Sequence, residues 1–260
     1  MYIDNNAIQT TEMEITSSKI PESFDGYKIL QISDFHSRMF RDGNAVLINE
    51  IDKASPDIIV LTGDMVTGNE TDFTTFFALI KELAPKYKIY FVPGNHEVVL
   101  SLESKQEFIK CFEENNVTFL DNNSVQLEKN GETVNLFGLW YEKKYYTSQE
   151  LTSEEILNRM GESDKGKYNI LLAHQPKYFP LYQEWGADLI LSGHLHGGMV
   201  RLPFMGAVFS PDGELFPKYS AGQYTLQDSV LVVSRGVGIG SRGFRVLNRP
   251  ELVLITLKTA

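Results

Sequence analysis

Along the first half of the chain, short runs of consecutive apolar residues alternate with stretches in which apolar positions recur every three or four residues. YKILQIS (27–33), DIIVLTGD (57–64) and KIYFVPGN (88–95) are apolar at successive positions, as strands covered on both faces are. AVLINEIDKA (45–54), DFTTFFALIKELA (72–84) and LESKQEFIKCFEEN (102–115) each carry one apolar stripe and predict helices, the second stopped by Pro85. This alternation predicts βαβ units and a largely parallel sheet. Beyond residue 116 the rhythm shortens, and VTFLDN, SVQLEKNG and TVNLFGLW read as short strands divided by turn residues. A polar stretch (141–167) predicts one helix, capped by Thr152 or Ser153. Buried strands return at YNILLAHQP (168–176) and ADLILSGH (187–194), with a helix near 176–185 between them. Short strands and loops follow Gly198, ELVLITLK (251–258) comes last, and the opening residues, MYIDNNAIQTTEMEITSSKIP, read as a strand-rich lead-in. With no internal repeat and no linker, the expectation is a single domain over residues 1–260, with two sheets packed face to face and helices outside.

Composition narrows the function more than the fold. At 42% hydrophobic and 22% charged residues, without low-complexity stretches, the chain builds a core and is not disordered. Its net charge of -10 argues against a nucleic-acid-binding surface. An acidic protein acting on an anionic substrate then needs a strong local source of positive charge. The single cysteine, Cys111, excludes an intrachain disulfide and a thiolate-rich zinc site, and reads as a structural residue on a helix. No apolar run approaches the roughly 18 residues of a membrane span.

The strand ends carry the chemistry. YKILQIS runs into Asp34-Phe35-His36, DIIVLTG into Asp64, KIYFVPG into Asn95-His96-Glu97, YNILLA into His174, and ADLILSG into His194-Leu195-His196. All five histidines of the chain fall at such ends, where open α/β sheets place their ligands. Imidazole nitrogen with carboxylate and amide oxygen, and no sulfur, suits Mn, Fe, Zn, Co or Ni rather than Ca. Asp34, His36, Asp64, Asn95, His174, His194 and His196 are too many ligands for one ion. Two divalent ions about 3.5–4 Å apart, sharing a carboxylate, would use them. Extended backbone at Asp34–His36 and at His194–His196 would turn residues i and i+2 to the same side.

DFH (34–36), GDMV (63–66), GNHE (94–97), AHQP (173–176) and GHLHGG (193–198), in this order, resemble the motif set of the calcineurin-like metallophosphoesterases. The resemblance implies that family's four-layer αββα sandwich, an α/β fold of two mixed sheets flanked by helices. It implies that Asp34, His36 and His196 hold one ion, that Asn95, His174 and His194 hold the other, and that Asp64 bridges them. His96 resembles the family's non-ligand catalytic histidine, near the leaving-group oxygen. Glu97 stands where the family often has Asp; it either orients His96 or faces solvent. The implied reaction is hydrolysis of a phosphoester or pyrophosphate by metal-activated hydroxide, and the two cations would resolve the charge problem. Segments 209–224 and 233–252 further resemble a bacterial, often membrane-associated branch that includes UDP-2,3-diacylglucosamine hydrolase-like proteins. That branch implies a phosphodiester or lipid-linked substrate and membrane association through an N-terminal segment preceding residue 1, with a cytoplasmic location otherwise. A non-catalytic protein-binding scaffold, a cyclic-nucleotide phosphodiesterase and a protein phosphatase are the alternatives.

The last third is rich in basic residues: Arg201, Lys218, Arg235, Arg242, Arg245 and Arg249. With Arg38, Arg235 is the expected substrate contact, since a guanidinium fork matches phosphate oxygens. Aromatics at 137–146 and 204–224 read as core, or else as an apolar wall for a substrate.

Overall fold

The structure is a computed structural model and describes residues 7–198, 200–202, 204–211, 213–239 and 245–260. Its strands are β1 (Gln9–Ser17), β2 (Lys28–Ile32), β3 (Arg41–Asn44), β4 (Ile58–Leu61), β5 (Lys88–Phe91), β6 (Thr118–Phe119), β7 (Ser124–Lys129) and β8 (Glu132–Leu139). They continue as β9 (Asn169–Ala173), β10 (Leu189–Ser192), β11 (Val200–Leu202), β12 (Gly206–Phe209), β13 (Gly222–Leu226), β14 (Ser229–Val233) and β15 (Glu251–Thr259). Two six-stranded mixed sheets form, in the orders β1-β15-β2-β4-β5-β6 and β13-β14-β10-β9-β8-β7. The centre of the first is parallel, with Ile29 beside Ile58 and Ile58 beside Lys88. The centre of the second is parallel as well, with β9 and β14 flanking β10.

Alternation along β2 shows why the layers stack as they do. Leu30 and Ile32 pack with Leu47, Ile51, Phe76 and Leu79 of the outer helices Ala45–Ala54 and Thr74–Leu83. Ile29 points the other way, into a second core shared with Val134, Ile170, Leu172 and Leu189 of the opposite sheet. The far face of that sheet, Leu171, Ala173 and Ile190, is covered by Ile156 of helix Ser153–Met160 and by Phe179 and Tyr182 of helix Phe179–Trp185. Both faces of each sheet are therefore apolar, which is the physical content of the unbroken hydrophobic runs. Thr152 caps its helix as expected, accepting from Glu155 N–H while Glu155 reaches back to the cap. Helix Leu102–Glu114 buries Cys111, and a short helix, Lys144–Thr147, adds to the expected one in the polar stretch. The lead-in forms β1 from Gln9, and residues 1–6 lie outside the described set, as does Arg242. No helix among the described residues is long and apolar enough to cross a membrane.

One polar contact ties the two sheets together beneath the strand ends. The buried Gln31 amide donates to Thr62 Oγ1 and to Ser192 O, both at 2.9 Å. It locks the ends of β2, β4 and β10 at one level, so the loops that follow them meet.

Candidate metal centre

Those loops are sharply bent. Asp34, His36, Asp64, His194 and His196 have φ of 51°, 49°, 55°, 73° and 50°, so five of the seven expected ligands are left-handed. The extended i, i+2 reading of DFH and HLH is corrected here, since a strand has φ near −120°. Non-glycine residues adopt positive φ rarely, and Asp and His do so more readily than most. The bends hold because neighbouring backbone demands them: Asp34 N–H donates to Gly63 O at 3.0 Å, and His36 N–H to Asp64 O at 3.1 Å. His194 N–H donates to Asp34 Oδ1 at 3.0 Å, joining the first and last motifs. Gly193 and Gly94 are among the tight approaches: a Cβ on the first would strike Ser33 and Asp34, and on the second Asp64.

The bends divide the HLH pair between two clusters. Asp34, His36 and His196 form one group, and Asp64, His174 and His194 another, the candidate ligand atoms of each within 4.8 Å of one another. A third group, His36, Asp64 and His96, lies between them. His36 and His196 stack with centroids 5.0 Å apart and their Nε2 atoms 3.1 Å apart, and Asp34 Oδ1 lies 3.5 Å from His196 Nε2. In the second group, Asp64 Oδ2 lies 3.1 Å from His174 Nε2.

Several atoms fit a cation better than they fit one another. His174 Nδ1 lies 2.7 Å from Thr62 O, an acceptor only, so the ring proton sits on Nδ1. Nε2 is left with a lone pair and has no hydrogen-bond partner, although Asp64 Oδ2 is close. Asn95 Oδ1 is likewise buried and unpartnered. Burial opposes a charge on His174, yet Asp64 and Asp34 pull its pKa up to about 10. Two buried carboxylates thus demand positive charge at that spot, and a divalent ion on the Nε2 lone pair would supply it. Burial lowers His36 to about 4 and His196 well below its ordinary value, which keeps both as neutral donors.

His96 is arranged differently. Gly68 N–H donates to its Nδ1 at 2.7 Å, so the proton is on Nε2. That Nε2 lies 3.8 Å from Asp64 Oδ2, and the ring meets His36 edge-on at 4.8 Å. Glu97 neither orients His96 nor faces solvent. Its buried carboxylate accepts from the N–H groups of Asp64 (2.9 Å), Met65 (2.6 Å), Val66 (3.1 Å) and Gly94 (2.8 Å). Burial and Asp64 push its pKa up to about 7, against amide donors that favour the carboxylate. It clamps the GDMV and GNHE turns together.

The arginines stand one step out. Arg235 is paired with Glu251 at 2.7 Å, and Arg38 donates to Val237 O at 3.1 Å with its guanidinium 4.6 Å from the Phe40 centroid. Arg245, read from sequence only as part of a basic bias, is buried and donates to Arg235 O (2.8 Å), Gly238 O (2.6 Å) and, at 3.4 Å, His196 O. Tyr146 was legible only as one of several aromatics in 137–146; its ring lies 5.4 Å from His194 and 6.2 Å from His174. No motif marks either residue.

Comparison with known proteins agrees with this geometry. A family profile described as calcineurin-like phosphoesterase matches residues 27–198, which spans all five motifs. The chain is 30% identical to the uncharacterized metallophosphoesterase YkuE of Bacillus subtilis (strain 168), over 99% of this chain and 88% of that protein. It is 27% identical to phosphodiesterase YaeI of Escherichia coli (strain K12), covering 89% of this chain and 82% of the other. The crystal structure of TT1561 of Thermus thermophilus shares the fold with a TM-score of 0.51 at 12% identity, over 80% of this chain and 88% of that one. With the sandwich, the ordered motifs and the clustered His and Asp side chains in agreement, this chain belongs to the calcineurin-like phosphoesterase family.

Proposed function

We propose that the centre holds two divalent ions, Mn, Fe or Zn, and hydrolyses a phosphodiester or a lipid-linked pyrophosphate. The observation that carries this reading is the place of Asp64, which belongs both to the group with His174 and His194 and to the group with His36 and His96. Asp34, His36 and His196 would hold one ion, Asn95, His174 and His194 the other, and Asp64 both. Bound there, the ions supply Lewis acidity at phosphorus and offset the substrate's charge. The chain supplies the rest. His96 presents Nε2–H to the leaving oxygen, its tautomer set by Gly68. Glu97 holds the two turns that carry Asp64, Asn95 and His96. Arg38 and Arg235 would place positive charge at the rim.

β1 and β15, from opposite ends of the chain, pair in register from Gln9–Glu251 to Ser17–Thr259, which supports one domain throughout. Membrane association is supported by Phe204, Met205, Leu215 and Phe216, exposed on or beside the small β11-β12 sheet that follows the last motif. Sedimentation with vesicles, repeated with Phe204→Ser, tests that part.

Metal analysis with an activity panel tests the main reading. About two equivalents per chain, with chelator-sensitive turnover of bis-p-nitrophenyl phosphate, are expected. No turnover with Mn, Fe, Zn, Co or Ni would favour the non-catalytic scaffold.

A further inference from the structure

Tyr146 comes from the polar stretch that the metal motifs leave unused, yet it reaches the centre. Its half-buried ring packs against His194 and His174, both of the second cluster. It also packs on Tyr141, the ring centroids 4.9 Å apart. Tyr182 Oη donates to Gln175 O at 3.0 Å, so across 3.2 Å it accepts from Tyr141 Oη. What His174 and His194 meet is the ring of Tyr146, set on Tyr141. Its platform is firm: Tyr141 meets Tyr145 and Tyr178 edge-on, at 5.7 Å each, and Tyr178 Oη donates to Tyr145 O at 2.6 Å. His96, the donor for the leaving oxygen, packs instead against His36 of the first cluster.

A phosphoryl group held between the clusters has its leaving group on the His96 side. In a diester, the substituent that stays on phosphorus must lie elsewhere, and a monoester has none. We propose that the Tyr146 ring forms a subsite for this retained ester group and so favours diesters with a flat or apolar substituent. The inference rests on the phosphoesterase reading above and deepens it. A ring-on-ring contact of this kind discriminates by about 5- to 10-fold.

Titration calorimetry on the metal-loaded protein, with diphenyl phosphate and dimethyl phosphate, reads the subsite without turnover. The wild-type protein should bind the diphenyl ester about 5- to 10-fold more tightly. Tyr146→Phe should keep that ratio. Tyr146→Ala should reduce it to about 2-fold or less with metal content unchanged, the ring contact being gone. Tyr146→Gln, which keeps bulk without a ring, gives the same reading should the alanine variant fail to fold. In turnover, Tyr146→Ala should raise KM for bis-p-nitrophenyl phosphate by a larger factor than KM for p-nitrophenyl phosphate. Equal affinities in the wild-type protein, no binding of either ester, an unchanged ratio in Tyr146→Ala, or metal loss in that variant would each overturn the subsite. Binding selectivity without any metal-dependent turnover would sink the hydrolase reading alone.

Discussion

The two candidate ligand clusters are built from the same residue types and differ in how they are held. In the second, Asp64, His174 and His194 are all buried, and Thr62 O fixes the tautomer of His174. In the first, Asp34 is buried but His36 is half-exposed, and its Nε2 faces another imidazole nitrogen across 3.1 Å. The His174 ring is fixed by a hydrogen bond to the end of a strand, whereas the His36 and His196 rings rest on each other, with Asn248 donating to His196 O at 2.7 Å. A preorganised site binds without reorienting its ligands, and a looser one exchanges its ion more easily. The two positions are therefore expected to differ in affinity although their donor sets look alike.

Asp64→Ala removes the carboxylate that, on the two-ion reading, would serve both ions. It should abolish the difference along with both ions, and cost more than the roughly 10²–10³-fold that losing one transition-state donor costs. Metal content measured beside kcat checks it. His96→Asn should leave both ions bound and slow turnover by roughly 10²–10⁴-fold, because only the proton donor is lost. Metal loss in that variant would move His96 into the ligand set, an option its group with His36 and Asp64 makes worth testing.

Glu97→Gln keeps the size of the side chain but turns an NH₂ toward backbone N–H donors. Metal affinity should fall about 10–100-fold, as it does when a group supporting the ligands is lost. Unpaired buried amides should cost a further ~1–3 kcal/mol of stability, read by denaturant unfolding. A variant with normal affinity would show that the two turns hold without the clamp. The smallest effect expected is stepwise chelation. The first ion should leave at lower chelator concentration, with His36 and His196 resonances shifting before those of His174 and His194. Simultaneous loss would show the clusters to be energetically one site.

Much of this was legible in the chain. The buried strands announced themselves by uninterrupted apolar runs, because both faces of each sheet are covered. The motifs lay at the strand ends, where the topology brings loops together. Other features were not legible, for reasons visible at single residues. Asp34 and His194 have left-handed backbone because Gly63 O and the Asp34 carboxylate, far away in sequence, bond their N–H groups. Glu97 read as either a partner for His96 or a solvent-facing residue, but its carboxylate is turned to the amides of residues 64–66 and 94. Nothing local signalled that Arg235 pairs with Glu251, sixteen residues on.

The sequence by itself determined the layer order and the kinds of atom available at the centre, since both follow from local periodicity and residue type. Only the tertiary structure decided which imidazole joins which carboxylate, which nitrogen carries a proton and which aromatic ring stands at the edge. Those choices depend on hydrogen bonds and contacts between segments up to about a hundred and sixty residues apart, such as His194 N–H on Asp34, and no local pattern encodes them.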